Sequence, residues 1–173
     1  MEQELKEKKA QTAVLARLQK WCGIRDRSER EARLKADEWM AKVPALASQE
    51  VREEVQEAVL AALKEDGFLD DTRCAASYAR VHREHKGWGP LKVKAGLMSR
   101  GISGCVADDA IRDIPEDAWQ EKAELLLRRR QAELAGHRDR IVRWLMQRGF
   151  PQHMVWSALD RVESELGGEA VES

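Results

Sequence analysis

A chain of 173 residues that is 35% charged and 43% hydrophobic, with one Tyr, two Phe and four Pro, has the make-up of exposed amphipathic helices and argues against a sheet protein. No apolar run reaches the roughly 20 residues that cross a bilayer, and Met1–Lys9 lacks the apolar stretch of a secretory signal, so no membrane association and a cytoplasmic location are expected. Three scattered cysteines, Cys22, Cys74 and Cys105, exclude a disulfide framework, and a net charge of −1 argues against a uniformly basic nucleic-acid binder.

The first predicted helix runs from near Leu5 to Cys22, with Val14, Leu18 and Trp21 on one stripe. Residues 1–11 are expected as a frayed end outside the packed part. Ser28 followed by Glu31 is a capping box and opens a second helix, which turns Ala32, Ala36, Trp39 and Met40 inward until Pro44 stops it. Ser48 starts a third, with Val51, Val55, Val59, Ala62 and Leu63 recurring at helical spacing and Gly67 as its left-handed end.

Asp70 is expected to cap the fourth helix, with Leu69 and Cys74 as the hydrophobic staple and Asp71 favoured by the positive helix end. Paired carboxylates can also do acid–base work, but no nearby His or metal pattern supports it, and capping is preferred. This helix continues through Tyr78, Val81 and His85 until Gly87-Trp88-Gly89-Pro90 breaks it. Pro90 suits the first position of the next helix, which buries Leu91, Val93 and Leu97 and ends at Gly101. Ser103 caps a short helix carrying Val106, Ala110 and Ile111. Beyond Pro115, a long helix is expected to hold Trp119, Ala123, Leu126, Leu127 and Leu134. A short one follows with Ile141, Trp144 and Leu145, ending at Gly149. Pro151 opens the last, with Val155, Ala158, Leu159, Val162 and Leu166, and everything after Gly167 is expected to fray.

The run Leu97-Met98-Ser99-Arg100-Gly101-Ile102 returns, 48 positions later and without a gap, as Leu145-Met146-Gln147-Arg148-Gly149-Phe150. Repetition of a helical unit implies construction by stacking. The expected fold is all-α: three tandem three-helix units, at 12–66, 68–114 and 116–166, forming an elongated, curved array. Such arrays offer a surface to a partner instead of a cleft.

Little points to catalysis. His82 and His85 stand three apart on a helix but lack further ligands, Gly87-Trp88-Gly89 is no phosphate loop, and no nucleophile motif occurs. No catalytic, cofactor or metal residue is assigned. Charge is unevenly spread instead: Arg80 to Gly101 holds six Lys/Arg against Glu84 alone, and Arg128 to Arg148 holds seven Arg against Glu133 and Asp139. Arg80, Arg83, Lys86, Lys92, Lys94 and Arg100 flank the turn with Trp88, and Arg140, Arg143 and Arg148 extend the basic character, which suits a polyanionic or acidic-protein partner. Solvated helix faces, with Trp88 wedged inside its own unit, would leave the same pattern.

Gly67-Phe68-Leu69-Asp70-Asp71-Thr72-Arg73, then Ala75, Tyr78 and Arg80, then Gly87-Trp88-Gly89-Pro90 and Arg100-Gly101-Ile102, resembles the RecX family over roughly residues 12 to 164. Asp70, Asp71, Arg73, Gly87, Gly89, Pro90, Gly101 and Gly149 match its structural motif. Cys74 stands where the family usually has an aromatic, and Lys42 to Arg52 is longer than usual. The resemblance implies a monomeric regulator without cofactor that binds the RecA filament on single-stranded DNA within its groove. It would restrain strand exchange, ATP hydrolysis and coprotease activity in DNA repair and the SOS response, and weak DNA binding is also implied. Under that reading the ten residues Arg80, Arg83, Lys86, Trp88, Lys92, Lys94, Arg100, Arg140, Arg143 and Arg148 face the groove. A helical protein that binds DNA directly is the alternative.

Overall fold

Apolar residues four apart decide where the first helix packs. Ala10, Val14, Leu18 and Cys22 are buried along one side of α1 (Glu2–Gly23). The computed structural model describes residues Met1–Glu169, and the described residues hold nine α-helices and no strand. After α1 come α2 (Glu29–Met40), α3 (Gln49–Glu65), α4 (Asp71–Val81), α5 (Pro90–Ser99), α6 (Gly104–Arg112), α7 (Glu116–Arg128), α8 (Gln131–Gln147) and α9 (Gln152–Glu169). The expectation of an all-α chain holds.

Two compact units result, one of Met1–Cys74 with Arg100–Ile102, the other of Ala75–Ser99 with the described residues from Ser103 to Glu169. In the first, α1, α2 and α3 pack around Leu18, Ala32, Ala36, Met40, Val59 and Leu63, and a short 3-10 turn (Pro44–Leu46) closes the core with Leu46. In the second, α5 packs on α6, and α7, α8 and α9 pack mutually over Leu127, Ile141, Leu145, Phe150 and Leu159, all essentially without solvent contact.

The expected helix starts are met where a local hydrogen bond dictates them. Ser28 Oγ accepts from Glu31 N at 3.2 Å while Ser28 N donates to Glu31 Oε2 at 3.1 Å, the reciprocal box that begins α2. Asp70 Oδ1 accepts from Arg73 N at 3.0 Å, and Ser103 Oγ from Val106 N at 3.4 Å. Pro90 is the first residue of α5.

Several expected boundaries are corrected. Residues 2–11, expected to fray, are the first turns of α1. α2 ends at Met40, before Pro44, which instead opens the 3-10 turn. α4 is regular only to Val81. His82–Lys86 form a wide π turn closed by Gly87 at φ +62°, with Trp88 N donating to His82 O at 3.1 Å. Leu91, expected inside, is 58% exposed, and Val81, the last residue of α4, is 40% exposed. The long helix expected through Leu134 stops at Arg128. Arg130 (φ −119°, ψ 17°) precedes α8, and His137 (φ −141°, ψ 36°) kinks α8 into two legs, with Leu134 buried on the first. Gly167 and Gly168, expected to fray, belong to α9, and the tail after Glu169 lies outside the described residues.

Candidate partner-binding surface

The turn carrying Trp88 is built by backbone contacts with the end of α8. Gly89 N donates to Arg148 O at 2.7 Å and Leu91 N to Gly149 O at 3.0 Å. Arg148 Nη1 reaches back to Lys86 O at 2.6 Å and Gly87 O at 3.3 Å, acceptors that the wide turn leaves open. Above this clamp the half-buried Trp88 meets Tyr78 edge-on at 6.4 Å and tilts against His82 at 4.6 Å, while His82 stacks on Tyr78 at 3.7 Å. The Lys92 ammonium stands 5.0 Å from the centre of the Trp88 ring. Trp88 is thus packed against its own helices, with the Lys92 ammonium over its ring.

The ten expected groove residues divide. Arg80, Lys86, Lys92, Arg140 and Arg143 are solvent-exposed. Arg83 folds inward, with Nη1 on Ala118 O at 2.9 Å and its guanidinium 6.0 Å from the Trp119 ring centre. Lys94 pairs with Asp108 at 2.5 Å. Arg100 Nη1 donates to Glu31 Oε1 at 2.8 Å, and its own carbonyl accepts from the fully buried Ser28 hydroxyl at 2.7 Å. Arg148 is committed to the clamp and stacks on Trp144 at 4.5 Å. Arg83, Arg100 and Arg148 therefore each hold a contact within the chain.

The acidic pair of the motif also works structurally. Asp70 caps α4, whereas Asp71 Oδ1 accepts from Glu29 N at 2.9 Å and so caps α2. Arg73 Nε donates to Asp26 Oδ1 at 2.8 Å, a bond that holds its guanidinium above its ordinary pKa. Gly101, at φ +81°, leaves no room for a side chain beside Arg30. Burial, followed by the surrounding carboxylates, pushes the Cys74 thiol up to about 11. Cys74 and Leu69, the two residues of the expected staple, are both buried.

Two features escape the sequence reading. Lys122 Nζ donates to Glu84 O at 2.8 Å, and burial, then Arg129 and Arg83, push its ammonium below the ordinary lysine value. A shallow cleft of about 510 Å³ lies along α8, lined by Arg130, Glu133, Arg140, Arg143, Trp144 and Gln147. Because Arg130 precedes α8 and the kink at His137 separates Glu133 from Arg140, no regular helical repeat in the sequence signals it. Among the described residues no group of three or more His, Cys, Asp or Glu could hold a metal, and no helix is long and apolar enough to cross a membrane.

Residues 70–111 match the family model described as RecX, second three-helix domain. The chain is similar to the regulatory protein RecX of Stenotrophomonas maltophilia (strain K279a), 38% identical over 110 residues that cover 61% of this chain and 66% of that one. It is also similar to the regulatory protein RecX of Pseudomonas savastanoi pv. phaseolicola, 32% identical over 67% of this chain and 74% of the relative. A crystal structure of regulatory protein RecX superposes with a TM-score of 0.70 over 87% of this chain and 71% of that one, at 24% identity, which shows the shared fold. The turn at Trp88, its glycine clamp and the capped helices around it therefore belong to a member of the RecX family of regulatory proteins.

Proposed function

We propose that this chain binds the RecA filament assembled on single-stranded DNA and restrains its strand exchange, ATP hydrolysis and coprotease activity. The observation that carries this reading is the half-buried Trp88 with the Lys92 ammonium 5.0 Å from its ring centre, in the segment that matches the RecX second three-helix domain and that also exposes Arg80 and Lys86. A packed aromatic with a cation over its ring, on a segment that exposes further basic side chains, provides an anchor and a salt-dependent attraction for an acidic groove. Nothing in this mechanism requires a bond to be made or broken. Occupation of the groove would itself obstruct the incoming duplex. The chain would act as a cytoplasmic monomer, its three units (12–66, 68–114 and 116–166) reaching across several protomers.

Co-sedimentation with RecA filaments, together with the RecA ATPase rate, tests the reading. Arg80→Glu, Lys86→Glu and Lys92→Glu combined should weaken filament binding by about tenfold or more, given how strongly charge reversal acts across an interface, while helicity and melting stay unchanged. Undiminished ATPase inhibition by that variant would sink this docking face. Binding to naked single-stranded DNA as tight as to the filament, and falling steeply with salt, would favour the direct DNA-binding alternative.

A further inference from the structure

The cleft on α8 is an incomplete set of ion pairs. Glu133 alone serves two arginines, Arg140 Nη2 at 3.0 Å and Arg130 Nε at 3.8 Å. Arg143 Nε donates to Asp139 O at 3.3 Å, and among the described residues no carboxylate lies within ion-pair distance of it. The floor is Trp144, with the Arg130 guanidinium 4.4 Å and that of Arg148 4.5 Å from its ring centre. Stacking on the ring fixes those side chains and so lowers the entropy lost when a ligand binds.

The kink at His137 divides α8 between the leg that carries Glu133 (131–136) and the leg that carries Arg140, Arg143 and Trp144 (138–147). The carboxylate and these cations therefore stand on segments joined by a non-helical residue. Guanidinium forks match carboxylate geometry. A continuous phosphodiester strand along the cleft would have to pass Glu133, whereas a single acidic side chain can enter beside Arg143.

We propose that this cleft docks an acidic peptide segment of a protein partner, with Glu133 as the built-in carboxylate that the incoming one displaces. The proposal deepens the reading above, on which it rests for the partner's being a protein, by naming the chemistry that α8 recognises.

Fluorescence anisotropy of labelled hexaglutamate against the full chain tests it, with labelled hexaglutamine and a twenty-residue oligo-dT as comparison probes. Hexaglutamate should bind the natural chain. Glu133→Gln should tighten it about threefold, the size of an exposed ion pair, and Arg143→Glu should weaken it about tenfold or more, since it puts a like charge in the cleft. Both side chains are surface groups, and circular dichroism checks that each variant stays folded. Equal binding of hexaglutamine, no tightening in Glu133→Gln, or tightening seen with oligo-dT in place of hexaglutamate would each overturn the proposal. These probes contain no recombinase, so a negative result is distinguishable from failure of filament binding in the co-sedimentation assay.

Discussion

Gly89 and Gly149 touch backbone to backbone: a Cβ on Gly89 would stand 2.4 Å from the carbonyl carbon of Gly149. Gly149 itself sits at φ +87°, and a Cβ there would lie 2.4 Å from Lys92 Cβ. The contact lets Gly89 N and Leu91 N reach the carbonyls of Arg148 and Gly149. Gly89→Ala should therefore destabilise the protein by about 2 kcal/mol or more through overpacking, read from urea denaturation followed by circular dichroism. Gly104→Ala is the control, since a Cβ at that position meets nothing within 4 Å. It should be neutral or stabilising by up to about 1 kcal/mol.

Ser28→Ala removes the α2 cap and leaves the Arg100 carbonyl without its 2.7 Å donor in a fully buried place. The expected loss is about 1–2 kcal/mol. A double-mutant cycle between Arg100→Met and Glu31→Gln should show coupling of about 1 kcal/mol, which a surface arginine reserved for a partner would lack.

Arg83 and Arg80 should separate in a stability assay. Arg83→Glu loses the bond to Ala118 O and places a carboxylate beside Trp119, so its melting temperature should fall clearly. Arg80→Glu, on an exposed position of α4, should stay within about 0.5 kcal/mol of the natural chain. A matching drop in both would contradict the division of the basic residues drawn above.

The three thiols should react in a fixed order. Cys105 is exposed, whereas Cys22 and Cys74 are buried and their thiols are pushed up, Cys74 to about 11. At pH 8 the native protein should take up a thiol reagent quickly at Cys105 alone, and the other two should react only with denaturant. For Cys74 a raised pKa means a thiolate fraction that keeps increasing with pH, so any slow native labelling there should accelerate beyond pH 9.

Acid should loosen the first compact unit. A hydrogen bond and the charge of Lys64, with help from Arg33, hold the Glu29 carboxyl below its ordinary value of 4.5. A carboxylate depressed in the folded state contributes stability above its unfolded pKa and loses it as the pH falls through the folded one. The melting temperature should drop below about pH 4.5, and Glu29→Gln should flatten that part of the profile.

What the sequence disclosed follows the range of each interaction. Ser28 with Glu31 and Asp70 with Arg73 are three residues apart, so their caps could be read directly. The glycines at Gly67, Gly87, Gly101 and Gly149 all adopt positive φ, which residue type alone suggests. The wide turn at His82–Lys86 was illegible, because nothing in His-Arg-Glu-His-Lys disfavours an ordinary helix. Arg128 to Arg130 hid the break before α8 for the same reason, arginine being a strong helix former. The structural duties of Arg83, Arg100 and Arg148 depend on Ala118, Glu31 and Lys86, each more than 30 positions away. A count of charges cannot tell a guanidinium already engaged from one that waits for a partner.

The arginine clamp has a consequence for how far this repeat is modular. A fragment ending at Ile114 would strand Lys86 O, Gly87 O, Gly89 N and Leu91 N, all satisfied by Arg148 and Gly149, together with Glu84 O, satisfied by Lys122. Excision of α4–α6 would thus expose main-chain groups that no side chain of the fragment replaces. The duplicated stretch ending at Phe150 is less a spare copy than the missing half of its predecessor's turn.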